Sequence, residues 1–259
     1  MRVIAILQAR MSSTRLSKKV LKPILGKPML TLQIERLNRA RELDNLVVAT
    51  SEGADDDAIE DLCRTLDVDC FRGSIDDLLD RYYRAAKPWN PEHVVRLTGD
   101  CPLTDPRLID AVIALHQKGE FDYTSNVSPP SWPDGLDVEV MRFACLEKAA
   151  KKARLPSERE HITFYFTKRP DEFRLGNLEG ERNLTHLRWT VDQAEDFELI
   201  NEIYEELYPD NPEFTTEDIL SLLDARPELS TLNAGVMRNK GHLKSFEADK
   251  EFLGKTENP

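Results

Sequence analysis

No stretch of the sequence approaches the roughly 18 to 20 consecutive apolar residues of a membrane span. The opening "MRVIAIL" looks like a buried strand and runs too soon into charge to be a secretory leader. Neither G-x-x-x-x-G-K-[ST] nor G-x-G-x-x-G occurs, which disfavours a mononucleotide kinase and a dinucleotide dehydrogenase. The four cysteines, Cys63, Cys70, Cys101 and Cys145, form no C-x-x-C pair and lack matching histidine spacing. A zinc site is therefore not expected, and reduced thiols are. Positive charge is scarce as well: 35 Lys and Arg face 47 Asp and Glu, a formal net charge of −12. A broad basic face for nucleic acid or a membrane surface is not expected on that background. The expectation is a soluble cytoplasmic protein with neither of those partners.

What is present is a regular alternation of strand-like and helix-like segments. The runs "RVIAIL" (2–7), "NLVVAT" (45–50), "VDCF" (68–71) and "HVVRL" (93–97) read as strands, the longer ones buried on both faces. Between them lie helical segments at 28–42, 55–66 and 74–87, and another follows "TGDCP". Pro28 suits a first helical position. Such alternation implies βαβ units and an α/β fold with a doubly wound, mostly parallel sheet. The second half is less regular. "FDYTSN", "LDVEVM" and "HLRWTV" read as strands, and 157–168 as a helix in which Ser157 and Glu160 fit a capping box. Residues 1–120 are expected to form one half and 121–230 a smaller mixed α+β part. Residues 231–259 read as a polar tail, loosely held at its end.

In a doubly wound sheet ligands bind outside the carboxyl ends of the strands. The loop after Leu7 concentrates Arg10, Arg15, Lys18 and Lys19 around the small residues Ser12, Ser13 and Thr14. Guanidinium forks, ammonium groups and close backbone N–H groups together suit a polyphosphate. The bland alternative is a solvated turn. Asp100 in "RLTGDCP" and Asp192 in "HLRWTVDQ" both follow a strand. Two such carboxylates with substrate phosphates are a usual Mg²⁺ arrangement. Each could instead cap the element that follows. The acidic triplets "DDD" (55–57) and "DVD" (67–69) imitate a D-x-D metal motif but sit where a helix start and a turn account for them.

Six segments in order resemble a known family: "QARMSSTRLSKKVLKPILGKPML", "FRGSIDDLLDRYYRAA", "VVRLTGDCPLTDP", "DGLDVEV", "SEREHIT" and "HLRWTVDQAEDFELI". They resemble the sugar cytidylyltransferases, in particular the spore-coat polysaccharide biosynthesis type, kin to the acylneuraminate and 3-deoxy-manno-octulosonate cytidylyltransferases. The resemblance spans roughly residues 3 to 207. It implies a Rossmann-like nucleotide-diphospho-sugar transferase fold with a smaller acceptor and dimerisation part, a homodimer, and transfer of CMP from CTP to a small sugar acceptor with Mg²⁺ as cofactor. Gln8, Arg10, Ser13, Arg15, Lys19, Arg72, Ser74 and Asp80 would bind the nucleotide. Arg15, Lys19 and Asp100 would be catalytic, and Asp100 and Asp192 would hold the metal. Asp134, Asp137, Glu139, Glu160 and His161 would line the acceptor side.

The family's first loop commonly reads Gly-Ser-Thr-Arg-Leu-Pro-Gly-Lys. Here Ser12, Ser17 and Lys18 replace the first glycine, the proline and the second glycine. Fewer glycines restrict left-handed backbone and close approach to an anion. The competing readings are a sugar-nucleotide-dependent glycosyltransferase, and a nucleotide-binding relative without catalysis.

Overall fold

The computed structural model describes residues 1–13, 15–236 and 242–257. The strands among these residues are β1 (Val3–Gln8), β2 (Pro23–Ile24), β3 (Lys27–Pro28), β4 (Asn45–Ser51), β5 (Asp69–Gly73), β6 (His93–Thr98), β7 (Tyr123–Ser125), β8 (Glu139–Arg142) and β9 (Leu175–Asn177). The helices are α1 (Met29–Leu37), α2 (Asp57–Thr65), α3 (Leu78–Ala86), α4 (Pro106–Lys118), α5 (Phe143–Lys152), α6 (Pro156–Glu160), α7 (Phe164–Thr167), α8 (Ala194–Leu207), α9 (Thr216–Ala225) and α10 (His242–Glu257). No helix among the described residues is long and apolar enough to cross a membrane.

Seven strands form one sheet in the order β5-β4-β1-β6-β8-β7-β9, and β2 and β3 pair in a small separate hairpin. β5, β4, β1 and β6 run parallel, while β8 is antiparallel to both β6 and β7. From β1 the chain steps outward to β4 and β5, then returns past β1 to β6. The connections therefore diverge between β1 and β6, the switch point where such sheets open a crevice. Alternation along β1 feeds two cores. Val3, Ala5 and Leu7 join Leu30, Ile109, Leu199 and Ile219 on one face. Ile4 and Ile6 join Leu79, Leu146 and Phe166 on the other. Full burial of each large apolar side chain contributes roughly 1.5–3 kcal/mol.

Four local expectations need correction. "HLRWTV" is not a sheet strand: its one bridge pairs Arg188 with Asp134. Trp189 N–H donates to the Asp134 carbonyl (2.6 Å) and Val191 N–H to the Asp100 carbonyl (2.7 Å), so the segment ties two loops together. Pro28 is the N-cap of α1, held outside it by pairing with Pro23. The expected 157–168 helix splits into α6 and α7 at His161, whose φ of −115° and ψ of 84° leave the helical region. Ser157 does not cap it, because Asp249 accepts its N–H (2.8 Å) and hydroxyl (2.6 Å). The same contact accounts for the last correction: the described end of the tail is α10, docked through the buried Asp249.

Asp105 joins the halves of one layer. It caps α4 at Arg107 N–H (2.9 Å) and accepts the Thr216 N–H (3.1 Å) and hydroxyl (2.7 Å) at the start of α9. Burial alone would raise its pKa, but the bonds from Arg107 and Thr216 outweigh it and hold the carboxyl at about 2. A depressed carboxyl contributes stability above the ordinary value near 4, lost as pH falls toward the folded value. Acid titration of unfolding should therefore remove about 2 kcal/mol between about pH 4 and 2 through this group. Asp105→Asn should be less stable near neutrality and flatter across that window; an unchanged slope would refute the assignment.

Candidate functional site

The loop leaving β1 closes on Met11. Its carbonyl accepts N–H bonds from Ser13 (2.8 Å) and Lys18 (3.2 Å), while its own N–H is held by Asp56 (2.7 Å). Asp56, from the first acidic triplet, also accepts the Ser51 N–H and hydroxyl, and Asp57 pairs with Arg72 (2.6 Å). Both carboxylates thus serve local structure. Lys18 sits at φ 57° and ψ 23°, in the left-handed region. That conformation costs a non-glycine residue about 1–2 kcal/mol. The loop has kept a glycine-like backbone at a position where it lacks glycine. Thr14 lies outside the described residues.

That turn delivers Lys19 to the switch point. Its ammonium donates to Asp100 Oδ2 (3.0 Å), Asp192 Oδ1 (2.9 Å) and the Val191 carbonyl (2.6 Å). Burial opposes the charge, but the Asp100 and Asp192 carboxylates raise the Lys19 pKa above its ordinary value. Asp100 shows the reciprocal effect. Burial pushes its carboxyl up, the Lys19 charge and the Thr98 and Lys19 hydrogen bonds pull it down, and it settles at about 2. Arg15 completes the cluster with a 2.7 Å contact to Asp192 Oδ1. Asp192 is free to do this because α8 is capped by Gln193 and Asp196 in a reciprocal box, with Asp192 outside it. α4 is likewise capped by Asp105, not by Asp100.

Arg188, which the sequence did not single out, binds the other side of Asp192. Its guanidinium reaches Asp192 Oδ2 (3.1 Å), Asp134 Oδ2 (2.7 Å) and Asp196 Oδ1 (2.9 Å). Its side chain is 10% exposed and that of Asp196 is fully buried. Asp196 further accepts the Asp192 and Gln193 N–H groups and the Asn233 side chain. Gly135, at φ 108°, lets the Asp134 loop lie against this segment, since a Cβ there would fall 2.5 Å from Thr190 N. Asp134 is thereby joined to the Lys19 cluster through Arg188. Asp137 is half-buried. Burial pushes the Cys101 thiol well up, and the charges of Asp100, Asp137 and Asp134 add to it.

The remaining sequence candidates are spread more widely. Gln8, at the end of β1, accepts the Tyr82 hydroxyl (3.0 Å), and Ser13 accepts the Leu16 N–H (3.3 Å). Arg10 is exposed and carries no hydrogen bond or ion pair among the described residues. Arg72 is held by Asp57, Glu60 and the carbonyls of Ser51 and Gly53. Ser74 shapes the turn into α3, and Asp80 faces Arg84 (3.8 Å). Among the described residues none of these last three bonds to the Lys19 cluster. Glu139 is enclosed with Arg96 and the Tyr123 hydroxyl, a buried pair inside the sheet. Glu160 and His161 end α6, where the His161 ring packs on Phe164.

The donor set fits one cofactor. Asp100 and Asp192 turn hard oxygen ligands toward one point, and Mg²⁺ is commonly taken by one or two carboxylates plus substrate phosphates. Among the described residues no group of three or more His, Cys, Asp or Glu is arranged as an all-protein metal site.

Comparison with known proteins agrees with this architecture. A family model for cytidylyltransferases matches residues 4–240. An uncharacterized protein of Methanocaldococcus jannaschii is 38% identical, with 91% of this chain and 96% of the relative covered. The spore coat polysaccharide biosynthesis protein SpsF of Bacillus subtilis is 32% identical, covering 88% and 97%. A solved cytidylyltransferase from Leptospira borgpetersenii superposes with a TM-score of 0.84 at 34% identity, covering 89% and 97%. The chain belongs to the cytidylyltransferase family, enzymes of nucleotidyl transfer.

Proposed function

We propose that this protein is a Mg²⁺-dependent sugar cytidylyltransferase, transferring CMP from CTP to a sugar hydroxyl with release of pyrophosphate. The observation that carries the reading is the Lys19 ammonium enclosed between Asp100 and Asp192 at the switch point, with Arg15 on the same carboxylate. An acceptor sugar for surface polysaccharide fits the similarity to the spore-coat protein.

The reaction builds negative charge on the phosphates while the acceptor oxygen and the leaving pyrophosphate must stay in line. Preorganised cations answer the first need and fixed neighbours the second. Lys19 stays protonated because of its two carboxylates and sets a positive charge beside the phosphates. Arg15, half-exposed on the rim, meets the pyrophosphate end. Asp100 and Asp192 would hold the cation, which when bound would supply charge neutralisation at the phosphates and Lewis-acid polarisation of the phosphoryl group. Asp134, tied to Asp192 through Arg188, carries the acceptor side. Arg72, Ser74 and Asp80 lie on the nucleotide side of the site in this reading, Ser74 through the turn into α3.

Thermal unfolding with CTP, UTP, ATP or GTP, with and without Mg²⁺, tests nucleotide choice before any acceptor is known. A ligand at a hundred times its Kd adds about 2.7 kcal/mol of stability. The expected result is a Mg²⁺-dependent rise largest for CTP, followed by pyrophosphate release when acidic or amino sugars are added. Release of a nucleoside diphosphate from a sugar nucleotide would favour the glycosyltransferase reading. CTP binding without turnover on any acceptor would favour the non-catalytic one.

A further inference from the structure

A buried amide side chain is committed to the turn that carries Asp100. Gln33 belongs to α1, whose Leu30, Leu32, Ile34 and Leu37 join the core, and it is fully buried with them. Its Nε2 donates to the carbonyls of Thr98 (2.8 Å) and Cys101 (2.9 Å), the two residues that bracket Gly99 and Asp100. Both partners are acceptors, so only the NH₂ end of the amide can face them. Oε1 is left with no partner among the described residues. An apolar residue of the same size would fill the position without that cost. Nor does the turn need the amide to close. Cys101 N–H donates to the Thr98 carbonyl (3.1 Å), and Thr104 donates to the Cys101 carbonyl through its N–H (3.1 Å) and hydroxyl (2.7 Å). Each carbonyl therefore has a second donor, and removing Gln33 orphans neither. Stability alone does not account for this residue.

What the amide adds is a fixed separation between two arms of the site. α1 begins against the Lys19 arm, where Met29 N–H donates to the Lys22 carbonyl (2.9 Å). One turn further along the same helix, Gln33 holds the Asp100 arm. Arg36, a turn beyond, donates to the Leu103 and Thr104 carbonyls (3.4 and 3.2 Å). The turn is also pressed onto β1: Gly99 N–H donates to the Gln8 carbonyl (2.8 Å), and a Cβ on Gly99 would stand 3.0 Å from Ala9 Cβ. Within this set, the Gln33 bonds tie the Asp100 turn to the helix that follows the Lys19 loop. We infer that Gln33 is a positioning residue for Asp100, its amide holding the turn where the carboxylate meets the Lys19 ammonium and faces the cation. This rests on the reading of Asp100 as a cation ligand in the proposed function. Groups that orient a ligating carboxylate typically control metal affinity by about 10–100-fold.

The test is equilibrium binding of Mn²⁺, followed by its electron paramagnetic resonance signal, and calorimetric binding of CTP without metal, on the full chain well below its unfolding midpoint. Gln33→Met keeps the size of the side chain and removes the orphaned Oε1, so the fold is expected to hold. Its Kd for Mn²⁺ should rise at least about tenfold, with metal-free CTP binding unchanged. Gln33→Asn keeps the amide on a stem one methylene shorter and should fall between Gln33→Met and wild type. Leu37→Ala, at the far end of α1, is the control for a merely structural role. It should lower the unfolding midpoint more than Gln33→Met yet bind Mn²⁺ as wild type does. An unchanged Kd for Mn²⁺ in Gln33→Met would overturn the proposal. So would an equal loss of metal-free CTP binding, or a Leu37→Ala variant that loses Mn²⁺ as strongly. If Gln33→Met fails to fold, Gln33→Asn decides, and a wild-type Kd there overturns the proposal. Wild type that binds no Mn²⁺, or binds it no better than Asp100→Asn, would instead refute the reading of Asp100 as the ligand.

Discussion

Lys19→Ala is expected to lower turnover at least a hundredfold while leaving the fold intact. Removing one well-placed charge-stabilising donor typically costs about 3 to 4 kcal/mol of barrier. Lys19 is such a donor: its ammonium is enclosed, fixed by two carboxylates and a carbonyl, and delivered by a turn whose backbone is held at Met11. The fold should survive because the stem replaces no core residue of either face. The substitution also separates two roles. Without the ammonium, Asp100 and Asp192 keep their oxygens, so Mn²⁺ or Mg²⁺ binding should be at least as tight as in wild type. Asp100→Asn should lose turnover to a similar degree and lose metal affinity with it. Pyrophosphate release and equilibrium metal binding on the two variants distinguish these outcomes. Near-normal turnover in both would end the assignment of this cluster as the catalytic site.

Much of that cluster was legible because it depends on sheet grammar. The apolar runs at 2–7, 45–50 and 93–97 emerge as β1, β4 and β6, and the strand ends place the basic loop and Asp100 on one edge. Asp192 stands out in the sequence for a partly mistaken reason. It reads as the end of a strand, whereas it ends a segment that hydrogen-bonds to the Asp134 and Asp100 carbonyls without joining the sheet. Trp189 and Val191 made the segment look strand-like because they are buried, and burial alone does not tell a core strand from a packed connection. Arg188 was hidden by the same reading. An arginine inside an apolar run needs partners, and Asp134 lies 54 positions away in sequence. Arg72, which its motif places near the nucleotide, also meets Asp57 and Glu60 of α2 at ion-pair distance, a pairing across 15 and 12 positions that the motif does not show. Lys18 could be read only in part, since the sequence showed the missing glycine but not that lysine would take the left-handed conformation.

Arg188→Met should be the most destabilising single substitution near the site. Removing one partner from a buried ion group leaves uncompensated charge and typically costs about 3–5 kcal/mol. Here Asp196 is fully buried and Asp134 and Asp192 are nearly so, and the guanidinium serves all three. For a chain of this size each kcal/mol moves the midpoint by about 2–4 °C, so a loss on the order of 10 °C is expected in thermal unfolding. Arg188→Lys keeps the charge but cannot reach three carboxylates in fork geometry, so it should lie between wild type and Arg188→Met. Its functional signature should differ from that of Lys19→Ala. Arg188 holds Asp192 Oδ2 and Asp134 together, leaving Oδ1 to Lys19 and Arg15. In Arg188→Lys, metal affinity should weaken and the acceptor KM should rise. A stable, fully active Arg188→Met would mean that Asp134, Asp192 and Asp196 are held by their backbone contacts alone and that the guanidinium couples nothing.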